Sequence, residues 1–187
     1  MEGKVVYFAK PGPENTDEVL RIVRLRAEEL GIKSILVAST FGDTAVKAVD
    51  VFKGIRVVAV SHSAGWREPN TQEFTEENRK KVESKGAVVL ATTHTFSGVS
   101  RAMRKKYDMY LLGDIIASTL RVLGQGMKVV CEIAMMAADS GLVRTDEDVI
   151  CIAGTSRGAD TAVVLKPVIS TNFFDLRVRE IICKPHF

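Results

Sequence analysis

Short apolar runs alternate with amphipathic stretches along this chain. Val5-Val6-Tyr7-Phe8-Ala9 has the length and content of a buried strand. Asn15-Thr16-Asp17-Glu18 follows, a helix start with an N-cap residue and a Glu three places on. Val19, Leu20, Ile22, Val23 and Ala27 then recur at helical spacing until Gly31. Residues 34–38 form a second strand. A second helix carries Ala45, Val46, Val49 and Phe52 and closes at Gly54. Residues 56–60 are a third strand, followed by a long polar loop over 61–70. A charged helix covers 75–84, ending at Gly86, and residues 87–91 are a fourth strand. From 100 to 142 the pattern is helical, with Gly113, Gly124 and Gly126 as expected breaks. The last of these helices, 127–140, turns Val129, Val130, Ile133, Ala134 and Ala137 to its apolar side. Residues 149–153 are a fifth strand.

Strand and helix alternate with short connections, which predicts right-handed crossovers and a parallel sheet covered on both faces. Near-continuous apolar strands agree, because such strands are buried on both sides. The tail differs. Residues 162–165 and 176–183 read as strands with no crossover helix between them, so an antiparallel edge is expected there. The predicted class is α/β: three layers, α/β/α, with a mainly parallel sheet of about five strands and antiparallel edge strands at the C-terminus, all in one domain over 1–187.

Composition narrows the function classes. With 46% hydrophobic and 26% charged residues, the chain has the makeup of a globular domain. Lys and Arg number 26 against 23 Asp and Glu, a net charge of +3, too small and too evenly spread for a nucleic-acid footprint. No apolar run is long enough to span a membrane, and Met1-Glu2-Gly3-Lys4 does not open a signal peptide. Cys131, Cys151 and Cys183 are odd in number and far apart, which predicts reduced, buried thiols in a cytoplasmic protein.

In a parallel sheet, ligands sit outside the carboxyl ends of the strands. The polar, Gly-rich segments fall there. Ser39-Thr40-Phe41-Gly42-Asp43-Thr44 precedes the second helix, and a hydroxyl-and-Gly turn at a helix N-terminus presents free amides to a phosphate. An ordinary N-cap with Ser39 or Asp43 reads equally from the segment alone. Gly154-Thr155-Ser156-Arg157-Gly158-Ala159-Asp160-Thr161 offers a guanidinium fork suited to phosphate or carboxylate; its bland counterpart is a tight hairpin with Arg157 in water. His62 and His94 lie just beyond the third and fourth strands, in loops rich in Ser and Thr, and are expected to face one cleft. No metal-ligand cluster accompanies them. Ser61, Ser63 or Ser97 beside a histidine suggests a nucleophile, yet no Gly-x-Ser-x-Gly elbow exists. Trp66 and Phe96 serve either as a stacking face or as lids over the core. Glu132, charged amid apolar neighbours, stands out on its helix.

The stretch from Gly126 to Leu142, running through Asp146-Glu147-Asp148 into Val149-Ile150-Cys151-Ile152-Ala153-Gly154, resembles the C-terminal α/β domain of pyruvate kinase. Ser39-Thr40-Phe41-Gly42-Asp43-Thr44-Ala45 is similar to that domain's effector-phosphate loop. The barrel and the metal site of phosphoryl transfer are missing, and the loops after the third and fourth strands are enriched in His and Thr. In this the chain resembles the stand-alone, mainly archaeal proteins of that type, which carry flavin mononucleotide (FMN). The resemblance implies an FMN cofactor, with Ser39, Thr40, Gly42, Asp43 and Thr44 at the phosphate, His62, Thr92, His94 and Ser97 along the ring or its polyol tail, and Gly154, Thr155 and Arg157 closing the other side. The residues by themselves support a small phosphorylated ligand. Three readings stay open: a flavin-dependent oxidoreductase, a non-catalytic sensor, and a phosphoester hydrolase using His62 or His94. Whether copies associate into a homo-oligomer is also open.

Overall fold

The structure, a computed structural model, describes residues 3–186, so the Met1-Glu2 start of the N-terminal reading lies outside it. The elements in order are β1 (Val6–Phe8), α1 (Thr16–Leu30), β2 (Ser34–Ala38), α2 (Asp43–Val51), β3 (Arg56–Ser61), α3 (Glu76–Ser84), β4 (Val88–Ala91), α4 (Gly98–Tyr107), α5 (Leu112–Leu120), α6 (Gln125–Asp139), β5 (Val149–Ala153), β6 (Thr161–Lys166) and β7 (Arg177–Pro185). One seven-stranded sheet has the order β1-β7-β6-β5-β2-β3-β4. β5, β2, β3 and β4 pair in parallel, and so do β1 and β7. β6 is antiparallel to both of its neighbours. The predicted class therefore holds: α/β, mainly parallel, with antiparallel strands at the C-terminal end.

Strand alternation builds the two cores. Ile35 and Val37 of β2, Val57 and Ala59 of β3, and Ile150 and Ile152 of β5 point to α1, α2 and α3. Leu36, Val58, Val60, Cys151 and Ala153 point the other way, onto α6 and α5. Each central strand thus buries both faces, which is why its sequence is a continuous apolar run.

Several local details differ from expectation. β6 and β7 do not form the edge; β1 does, and β4 forms the other, so these two runs are only partly buried. The seven-residue link between β5 and β6 is too short for a crossover, and the chain returns antiparallel. No capping box forms at α1. The Asn15 side chain donates instead to the carbonyls of Lys10 and Gly12, and a 3-10 turn over Pro13–Asn15 leads into the helix. Gly113 and Gly126 lie within the first turns of α5 and α6 rather than breaking them. The break comes at Asp108, whose φ of 51° ends α4, and at Gly124, ahead of α6.

Because β2, β3, β4 and β5 run the same way, the segments after them emerge on one edge of the sheet. None of the helices described is long and apolar enough to cross a membrane.

Candidate functional site

At the end of β2 the chain turns into α2. Ser39 is buried, and its Oγ accepts from the Ala45 amide at 3.3 Å, which gives the first turn of α2 an acceptor although Gly42 holds the N-cap position. The amides of residues 40–44 bond no acceptor among the described residues. They sit at the positive end of the α2 dipole. Ser39, Thr40, Asp43 and Thr44 line the cleft. Gly42 does not. Its φ is 102°, and a side chain there would meet Asn78 Cβ at 2.5 Å and the Phe74 ring at 2.8 Å. Gly42 is thus required for the turn and for the seat of α3. Any larger residue there would disturb folding.

Beyond β5 the turn 154–158 is held by a buried aspartate to which the sequence reading gave no role. Asp160 is fully buried, and its Oδ2 accepts from the amides of Gly12 (3.2 Å) and Thr155 (2.9 Å). Its Oδ1 accepts from the Thr161 hydroxyl at 2.7 Å. Gly158, at φ 68°, lies against Pro13 and Thr16, leaving no room for a Cβ. This ties the turn to the N-terminus of α1 and leaves Arg157 exposed at the rim, 4.8 Å from the centre of the Phe41 ring. Thr155 is out of the cleft lining and its amide is committed to Asp160, so of the expected trio only Gly154 and Arg157 face the cavity.

At the ends of β3 and β4 the two histidines come together, ring centres 5.0 Å apart. His62 Nδ1 lies 2.5 Å from Glu73 Oε2. His94 Nδ1 lies 3.3 Å from Glu132 Oε2. Neither Nε2 bonds a described protein group, and both rings line the cleft. Burial lowers the His62 pKa below the ordinary imidazole value, and the Glu73 hydrogen bond only partly opposes it, so His62 is neutral at neutral pH. Glu132 is almost wholly buried. It accepts from the Phe96 amide at 3.1 Å and pairs with Lys128 one helical turn away. Burial would raise its pKa, but the His94 hydrogen bond and the Lys128 charge outweigh that and hold it at about 2.

Trp66 stacks on His94 at 4.5 Å, while Arg101 places its guanidinium 3.7 Å from the indole centre. Ser97 Oγ is buried without a partner. Thr92 stays outside the lining. Together these segments enclose a cleft of about 1020 Å³, lined by seven Lys and Arg side chains against three carboxylates. Lys47, Arg67, Arg104 and Lys128 are each neutralised by an acid. Arg101, Arg121 and Arg157 form no ion pair with a carboxylate among the described residues, Arg121 bonding Gln125 instead.

The structure thus brings Ser39, Thr40, Asp43, Thr44, His62, His94, Ser97, Gly154 and Arg157 into one cavity and leaves Gly42, Thr92 and Thr155 outside its lining. Sequence reasoning missed Glu73 and gave Lys128 and Asp160 no part in the site. Glu73 had a faint signal, as one of two acids in a loop that folds back through the bond from Gln72 to the His62 carbonyl. No His, Cys, Asp or Glu grouping fit for a metal exists among the described residues. The cysteines are buried, with burial pushing Cys131 up to about 11 and Cys183 to about 12, so none is a nucleophile at neutral pH.

The family described as pyruvate kinase, alpha/beta domain, matches residues 17–165. Among solved structures, a pyruvate kinase from Cryptosporidium parvum is similar at 9% identity, over 82% of this chain and 23% of that one, with a TM-score of 0.41. A pyruvate kinase of that organism in complex with ADP gives 12% identity, 86% and 24% coverage and a TM-score of 0.39. A mutant O-ureido-L-serine synthase with bound O-ureido-L-serine gives 17% identity, 77% and 53% coverage and a TM-score of 0.33. The chain spans about a quarter of the length of the pyruvate kinases it matches.

Proposed function

The chain belongs to the pyruvate kinase alpha/beta-domain family, and from that premise we propose that it binds a small phosphorylated ligand at the carboxyl edge of its sheet. The observation that carries this is the turn over 40–44, with its unpaired amides at the start of α2, facing a cleft in which Arg157 has no carboxylate partner. A phosphate monoester matches both halves: amides and a helix N-terminus for its oxygens, and a guanidinium for its charge.

FMN is the specific candidate. Its phosphate and polyol fit the donors at 39–44 and the cation beside them. Its ring finds the unpaired Ser97 hydroxyl, but Trp66 is already engaged by His94 and Arg101, so a stacking face opens only if one of them yields. The residues therefore fit the phosphorylated tail better than the isoalloxazine. A bound flavin would supply electron transfer; the protein's part is to anchor the tail and exclude water from the cleft. A sensor or an effector-binding module uses the same anchor without turnover. The hydrolase reading loses ground, since no described serine accompanies the histidines within hydrogen-bond reach.

Protein purified without added ligand and then heat-denatured should release a phosphorylated small molecule detectable by mass analysis. Absorbance in the visible flavin bands before denaturation identifies FMN. A colourless protein releasing another phosphate ester keeps the anchor and overturns FMN, and release of only unphosphorylated compounds would overturn the anchor.

A further inference from the structure

We infer that the His62–Glu73 and His94–Glu132 pairs form a general acid–base couple that moves protons on the carbon skeleton of a phosphorylated hydroxy-carbonyl compound. The inference rests on the phosphate anchor proposed above and not on the flavin. Four observations carry it.

The first is duplication. Each imidazole has Nδ1 fixed by a carboxylate, at 2.5 Å for Glu73 and 3.3 Å for Glu132. Such a bond selects the tautomer and orientation of the ring and leaves Nε2 for a substrate. Second, both carboxylates lie deep, Glu73 at 8% and Glu132 at 2% side-chain exposure, and each is held between its histidine and a cation, Arg67 at 2.8 Å for Glu73 and Lys128 for Glu132. Third, the rings lie 5.0 Å apart in one cavity, close enough to serve neighbouring atoms of one ligand. The fourth is placement. The anchor follows β2, His62 follows β3, and His94 follows β4, and these strands are successive neighbours. One to two strand spacings, about 5–10 Å, separate anchor from histidines, so the rings meet carbons beyond the phosphate and not phosphorus itself.

The protons balance without an outside reagent. Neutral His62 accepts at Nε2 the proton of a C–H beside the carbonyl. The C–H electron pair becomes the new C=C bond, the C=O π pair moves to oxygen, and that oxygen takes a proton from Nε2 of His94, which enters the cycle as the imidazolium with its Nδ1–H on Glu132. The product is an enediol. His62 then returns its proton to the adjacent carbon while His94 recovers one from the second hydroxyl, and both rings end as they began. The buried Lys128 pairs with Glu132 and holds that carboxylate against His94. Glu73 and Glu132 are positioning residues in this scheme.

The test uses the full chain with dihydroxyacetone phosphate and ribulose 5-phosphate in deuterated buffer, binding being read by calorimetry and exchange by proton NMR. Both sugar phosphates should bind, and at least one should gain deuterium beside its carbonyl. His62→Gln and His94→Gln should each slow exchange by at least about 100-fold. Glu73→Gln should lower kcat by about 10-fold or more with KM nearly unchanged, the split expected of a positioning group. In the unmutated protein, diethyl pyrocarbonate should abolish exchange, and either sugar phosphate should protect, so the test survives a variant that fails to fold. Binding without exchange would overturn the acid–base couple alone. Absence of binding by either compound would overturn the anchor, and this proposal with it.

Discussion

Replacing Glu132 by alanine is expected to destabilise the fold by about 3–5 kcal/mol, the range for removing one partner of a buried ion pair. Lys128 has only 8% of its side chain exposed and would keep a charge with no counter-ion. The Phe96 amide would lose its acceptor as well. A double variant, Glu132→Leu with Lys128→Met, should recover most of the loss, because it removes both charges and keeps the volume. The same pair sets a pH dependence. The folded Glu132 pKa lies near 2, below its ordinary value of 4.5. Its contribution is therefore fully present above about 4.5 and is lost as the pH falls toward about 2; linkage puts it on the order of 3 kcal/mol. Urea unfolding across that interval should show stability falling with pH in the wild type, with a shallower fall in Glu132→Ala. Equal slopes would mean that Glu132 is not held ionised by its partners.

Asp160→Ala should be nearly as damaging, at about 3 kcal/mol or more, since hydrogen bonds to a charged acceptor contribute roughly 1.5–3 kcal/mol each. Three donors lose their acceptor at once, two of them backbone amides on different segments, Gly12 and Thr155. Asp160→Asn should cost less, because one carbonyl oxygen remains to accept. The ligand site should suffer with it, since Asp160 fixes the turn that carries Arg157. Denaturant unfolding of the two variants, read against wild type, checks the order: alanine worst, asparagine between.

What could be read from the sequence follows the reach of each signal. The strands at 34–38, 56–60 and 149–153 were legible because a strand buried on both faces leaves a continuous apolar run, and β2 and β5 occupy those residues. Residues 162–165 announced an antiparallel return through the short link before them. Where that return sits was not legible. Strand order is a matter of long-range pairing, and nothing in Val6-Tyr7-Phe8 says that it pairs with Cys183, Lys184 and Pro185. The candidate site divides in the same way. Strand-end loops pointed to Ser39, His62, His94 and Arg157. Glu132 stood out by its apolar neighbours. Asp160 did not, because its bonds reach back 148 residues to Gly12. That Gly42 seats α3 was not legible, because the contacts with Phe74 and Asn78 lie more than thirty residues away.

A calorimetric titration with FMN and with riboflavin, in the wild type and in Arg157→Ala, tests the phosphate anchor most directly, since the two ligands differ by the phosphate alone. FMN should bind the wild type at least about 10-fold more tightly than riboflavin, a difference of about 1.4 kcal/mol. Arg157→Ala should weaken FMN and leave riboflavin nearly unchanged, narrowing the gap. Equal affinity for the two ligands in the wild type, or an FMN affinity that does not change in Arg157→Ala, would contradict a phosphate held between the start of α2 and Arg157.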